Sequence, residues 1–244
     1  MAPAALDPLA WLTTLEGVPS AFASTRDGID AMLRDRGLRR TTPAQTAESL
    51  LRGAHASAVL EGSTSSLEEI RLGQGDETAQ AGVRVSTEVL SLVPVLGQSP
   101  LQAFARLHAL AGNGVLPDDS LGRPVSTEAA QRLGMLSQTI LTTSVPALIL
   151  AALVHADLAT SASFASHNGI VARAAERLVL VARGVDPASL VVPEAGHLAV
   201  RAEYESNLRG YRDGGSNGVH AWLLYAAEAM AKGAEASPLR DPST

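Results

Sequence analysis

Residues 163–173 read Ser163-Phe164-Ala165-Ser166-His167-Asn168-Gly169-Ile170-Val171-Ala172-Arg173, a polar break between two apolar helical runs over 147–160 and 170–183. A His-Asn-Gly turn that opens a helix gathers free backbone N–H groups and the positive end of the helix dipole at one point. Arg173 falls in the first turn after the opening. Helical side chains lean toward the N-terminus, so its guanidinium is in reach of the same point. The stretch therefore reads as an anion site. It also reads as an ordinary capped helix start with Arg173 in solvent, and geometry alone favours that plainer version.

Outward from this break, apolar residues recur at helical spacing nearly throughout and β-branched alternation is missing, which predicts an all-α fold. Helices are expected over 21–36, ending at Gly37 with Arg39 and Arg40 near the close, and over 44–61, started by Thr42-Pro43 and stopped by Gly62. Ser65 and Ser66 each precede a glutamate by three residues, Glu68 and Glu69, so both read as capping boxes before Leu67 and Ile70. Further helices are expected over 77–92, 101–111, 127–141, 147–160, 170–183, 195–211 and 218–232. A linker marked by Pro94, Gly97 and Pro100 separates two of them, and 116–124 suits a small irregular flap or a β-hairpin. With no repeat and no long linker, a single all-α domain is expected, fraying after Gly233.

The 244 residues carry a net charge of −6 and no cysteine. A chain of this size buries roughly 70–75% of its extended surface and needs no disulfide or metal staple. Zero cysteine excludes disulfide frameworks, Cys-ligated zinc, iron–sulfur clusters and thiol nucleophiles, leaving catalysis to six His, carboxylates, hydroxyls and Arg. Only 3% of the residues are aromatic and the pI is near 5.5, so no nucleic-acid partner is expected. The longest stretch free of charged residues, 133–156, holds Gln138, Pro146 and His155. Its apolar part, 145–154, is about half of the ~20 residues a membrane span needs, so a buried helix and no membrane contact are expected. Met1-Ala-Pro-Ala-Ala-Leu-Asp-Pro lacks the basic-then-apolar pattern of a secretory leader, which points to the cytoplasm.

A second segment, Ser57-Ala-Val-Leu-Glu61-Gly62, places Ser57 and Glu61 one turn apart on a helix face. Taken alone, Glu61 is a surface acid near a helix C-terminus, mildly unfavourable for the dipole. Together the two segments resemble the Fic (Fido) family of protein-modifying nucleotidyltransferases. That family's active loop has the pattern His-Pro-Phe-x-(Asp/Glu)-Gly-Asn-Gly-Arg-x-x-Arg within an all-α core, and its autoinhibited members carry an inhibitory helix of pattern (Ser/Thr)-x-x-x-Glu-(Gly/Asn). Ser57 to Gly62 fits the second pattern throughout. The order also matches, with Leu-His-Ala-Leu at 107–110 and Gly122-Arg123 between the segments. The resemblance covers roughly residues 45 to 230 and implies a 1–40 helical extension, a Fic-like domain over 41–233 with its inhibitory helix at 44–62, and a flexible tail over 234–244.

On that pattern Phe164 takes the Phe position, Asn168 and Gly169 the Asn-Gly of the anion hole, and Arg173 the final Arg. Ala162 stands where the family has its catalytic His, the base for the target hydroxyl. Ser166 replaces the acid that holds Mg²⁺, and a lone hydroxyl is a poor ligand for that cation. His167 occupies the first Gly position, where its side chain crowds an approaching phosphate, and Ile170 replaces the first Arg. The resemblance thus implies that Glu61 and Arg173, the family's switch pair, persist while the chemistry they restrain is lost. ATP or another nucleotide is the implied ligand; Mg²⁺ is not expected.

Three function classes follow: a non-enzymatic Fic-fold protein, an active transferase with His167 as a relocated base, and a helical scaffold for a protein partner or for self-association. Elsewhere, His155 and Asp157 point to different sides of one helix, so no metal site is expected from that pair. His108, ahead of Gly112-Asn113-Gly114, reads as a helix end and turn. His55, His197 and His220 show no usable partner spacing.

Overall fold

The computed structural model describes residues 7–36 and 41–241. Its helices follow as α1 (Val18–Arg36), α2 (Pro43–Leu60), α3 (Leu67–Arg71), α4 (Glu77–Glu88), α5 (Val93–Gln98), α6 (Pro100–Gly112), α7 (Thr127–Thr142), α8 (Ala147–Thr160), α9 (Asn168–Ala182), α10 (Pro193–Ala199), α11 (Arg201–Asp213) and α12 (Gly215–Glu235). No strand occurs among the described residues, so the fold is all-α. The 116–124 flap is irregular rather than a hairpin, with one 3₁₀ turn at Asp118–Ser120.

The core grows around α8. That helix is apolar on every side and is buried from Leu148 through Ala156, which leaves it no face for water. α9 packs along it, itself buried from Ile170 to Leu180. Trp222 of α12 is fully buried, and its Nε1–H donates to Ala152 O at 2.8 Å, fastening α12 to α8. No helix among the described residues is long and apolar enough to cross a membrane.

The caps act as their residues dictate. Thr42 and Gln45 form a capping box at α2, with Pro43 in the first turn. At α3 the box is made by Ser66 and Glu69 alone; Ser65 instead accepts from Asp76 N–H at 2.9 Å. Gly62 stops α2 at φ +95°, and Ser63 N–H closes the end on Ala58 O at 3.0 Å.

Four expectations need correction. The Pro94/Gly97/Pro100 linker is largely helical, because Pro94 and Pro100 sit in the first turns of α5 and α6, where a missing N–H costs nothing. The 77–92 run is α only to Glu88 and tightens to 3₁₀ over Val89–Leu92. The 195–211 run is two helices, broken at Val200, whose dihedrals of −124° and 46° leave the helical region. Residues 234–241 are packed rather than frayed: Pro238–Arg240 form a 3₁₀ turn with Pro238 and Leu239 buried, and Arg52 pairs with Asp241. The expected end of α1 at Gly37, with Arg39 and Arg40, lies outside the described residues, as do 242–244.

Candidate functional site

The loop between α8 and α9 is closed by its own side chains. Asn168 Oδ1 accepts from Phe164 N–H at 3.0 Å while Asn168 Nδ2 donates to Phe164 O at 2.8 Å, so one amide ties both backbone groups of Phe164. Phe164 is buried and stacks on His108, with ring centroids 4.4 Å apart. His167 takes the left-handed conformation, φ +57°, as does Ala162 at φ +46°. A left-handed non-glycine residue costs roughly 1–2 kcal/mol, so the loop shape is held by its surroundings. Ser166 Oγ lies 2.5 Å from His167 Nδ1, and burial lowers the His167 pKa.

At the mouth of α9, whose first N–H groups lack an intrahelical carbonyl, Glu61 lies against Gly169. A Cβ on Gly169 would collide with Glu61 Oε1, so the carboxylate rests against the bare backbone of Gly169. The same oxygen accepts from Arg173 Nη2 at 2.6 Å. Arg173 is 1% exposed and Glu61 33%. Arg173 spends its other donors on Ser57 Oγ at 2.8 Å, Ser57 O at 3.2 Å and Tyr204 Oη at 3.0 Å. Burial opposes the Arg173 charge, yet Tyr204 and Glu61 outweigh it and raise its pKa.

α2 is built into this arrangement along its length. Ser49, Gly53, Ser57 and Glu61 recur every four residues and face α9 and α10. One turn beyond Arg173, Arg177 forks onto Glu194 through Nε at 2.9 Å and Nη2 at 2.6 Å, and its Nη1 donates to Ser189 Oγ at 2.8 Å and Ser49 Oγ at 3.2 Å. A Cβ on Gly53 would sit 2.7 Å from Arg177 Nη2 and 2.8 Å from Glu194 Oε2, so a larger residue there would displace the ends of this buried pair.

Sequence reading missed two groups. The 108–114 segment is the expected helix end and turn, since α6 stops at Gly112 before Asn113-Gly114. His108, one turn inside that end, is fully buried and has partners the spacing does not show. Its Nδ1 accepts from Gly122 N–H at 2.9 Å, which ties the flap to the loop through the Phe164 stack. Burial, and then the charge of His167, lowers its pKa to about 4. The second group lies deeper. His155 Nδ1 and His197 Nε2 both meet Glu176 Oε2, at 2.7 and 2.9 Å, while Tyr204 and Tyr225 hydroxyls hold the far nitrogens at 3.0 and 2.8 Å. Burial pushes the Glu176 carboxyl up, but the two imidazoles prevail and hold it down to about 2. His155 therefore finds its hydrogen-bond partners on α9 and α11, not at Asp157, which pairs with Arg132. His220 bonds Glu16 O at 2.7 Å, far from the site in sequence and on α12. Burial lowers the His55 pKa.

Ser57, Glu61, Gly169 and Arg173 thus converge at one point, with Asn168 and Phe164 shaping the loop beside it. No carboxylate joins Ser166 in the loop, and Ala162 presents a methyl group.

No family model matches the chain, and no curated protein matches it. Solved structures do. A Fic family protein from Desulfovibrio desulfuricans G20 superposes with a TM-score of 0.72 at 17% identity, over 88% of this chain and 73% of that one. Residues 134–508 of Fic-1 from C. elegans give 0.70 at 15% identity, over 90% and 71%. The E274G form of Fic-1 gives 0.68 at 16% identity, over 89% and 72%. Likeness at these identities is likeness of fold, and the chain has the all-α Fic fold.

Proposed function

We propose that this chain is a Fic-fold protein without transferase chemistry, in which the mouth of α9 is a site for the phosphates of a nucleotide and Glu61 is its gate. The observation that carries the reading is the Glu61 carboxylate resting on Gly169 and paired with Arg173 at 2.6 Å: the point suited to an anion already holds one. A phosphate entering there replaces Glu61 and inherits Arg173, whose other partners hold it in place.

The proposed loss of chemistry rests on missing groups. A base must come within about 3 Å of the proton it takes, and Ala162 has none to offer at the family's position. His167, the alternative base, has Nδ1 engaged by Ser166 Oγ. The Mg²⁺ of Fic chemistry does not fit the loop either, since Ser166 offers a neutral hydroxyl already bonded to His167 where a hard cation takes carboxylate oxygen.

Wild type and Glu61→Gly are to be compared for binding of ATP, ADP and AMP by calorimetry, and for covalent labelling by ATP with Mg²⁺. The expected result is tighter binding by the variant, by about tenfold, equivalent to ~1.4 kcal/mol, and no label in either protein. Label in the released variant would show a working transferase. Absence of binding to both, with self-association in light scattering, would replace the anion site by the scaffold reading.

A further inference from the structure

We propose that His155, Glu176 and His197 form a buried site for one divalent cation of the zinc class, which ties α10 to the α8–α9 pair. Nothing in the anion-site reading requires it. The three residues come from three helices, and one ligand atom from each lies within 4.8 Å of the others. All three side chains are fully buried.

The hydrogen bonds around Glu176 are lopsided. Both imidazoles address Oε2, and Oε1 is buried with no hydrogen-bond partner. A carboxylate oxygen so placed is costly, because neither water nor a donor replaces its lost hydration. A cation in place of the two imidazole protons engages His155 Nδ1, His197 Nε2 and both oxygens of Glu176. That makes four nitrogen and oxygen donors, the number and type that zinc takes from protein side chains.

The outer contacts suit the same occupant. A histidine bound to metal carries its proton on the other nitrogen and donates it to a neighbour that fixes the ring. His155 Nε2 has Tyr204 Oη at 3.0 Å and His197 Nδ1 has Tyr225 Oη at 2.8 Å. A phenol accepts as readily as it donates, so either tautomer keeps its bond. Trp222, Tyr204 and Tyr225 pack their rings against the two imidazoles and keep the pocket dry. Tyr204 also bonds Arg173, so the ion would steady the residue that holds Glu61.

The test uses the full chain, unfolded in guanidinium with EDTA and refolded with Zn²⁺, with Co²⁺ or with EDTA. Expected are about one equivalent of zinc per chain after desalting, a melting temperature several degrees above the EDTA sample, and visible ligand-field absorption from cobalt. Glu176→Gln and His197→Gln, checked for helicity by circular dichroism, should lose the metal. Wild type that keeps less than about a tenth of an equivalent overturns the proposal. So does full binding by both variants, which would place the ion elsewhere. If the variants do not fold, X-ray absorption of zinc-loaded wild type decides: two imidazole nitrogens at ~2.0 Å are expected, and fewer than two overturn it.

Discussion

Replacing Gly169 by alanine should act on stability through Glu61. The new methyl group would occupy the space of Glu61 Oε1 and approach the Arg173 guanidinium at 3.1–3.2 Å, so the flexible, part-exposed Glu61 side chain leaves and Arg173 shifts little. Loss of the pair alone is set by Glu61→Ala. Arg173 then keeps Ser57 and Tyr204, and Glu61 is 33% exposed, which brings the cost below the ~3–5 kcal/mol of breaking a fully buried pair. One hydrogen bond to a charged group, about 2 kcal/mol, is the better measure. Gly169→Ala loses that same bond but gains up to ~1 kcal/mol from removing a glycine from α9, a net loss near 1 kcal/mol. With Glu61 already absent, the alanine should cost nothing or stabilise by up to ~1 kcal/mol, giving a coupling of about 2 kcal/mol. Urea denaturation of wild type, both single variants and the double variant measures it. Effects that add to within ~0.5 kcal/mol would refute the placement of Glu61 on Gly169.

The buried His108 makes the fold acid-sensitive. Its pKa falls from 6.5 to about 4 on folding, so the unfolded chain binds the extra proton; stability is full above pH 6.5 and declines as pH falls toward 4, by about 3 kcal/mol in all. His108→Gln should remove that share of the slope in urea melts between pH 4 and 7, and an unchanged slope would contradict a neutral, buried imidazole. Arg177→Ala strands Glu194, whose side chain is 6% exposed, and should cost about 3–5 kcal/mol. Replacing both by Met and Leu should recover most of it, and equal losses in single and double variants would argue against the pair as the cause.

Much of the fold could be read from local spacing. Capping residues, first-turn prolines and the left-handed Gly62 act within a few residues of themselves, so α2, α8 and α9 end close to where their residues say they should. The order of the Ser57–Gly62 and 163–173 segments pointed to the fold, and their four-residue periodicity put Ser57 and Glu61 on one face. Reading failed where two local rules competed. Pro94 and Pro100 read as breakers but start helices, and the apolar spacing over 195–211 conceals the break at Val200.

The polar interior is different in kind. His155, Glu176 and His197 are 21 residues apart in succession, and Tyr204 belongs to a fourth helix, so no periodicity within one element relates them. His108 meets Phe164 across 56 positions for the same reason. Residue order in the chain specified which helices form, where most of them stop and which loop opens α9 with Asn168-Gly169, because those depend on neighbours one turn away. Which buried charges meet was settled by the packing of α2, α8, α9 and α10, because burial makes each polar group take whatever partner the facing helix presents.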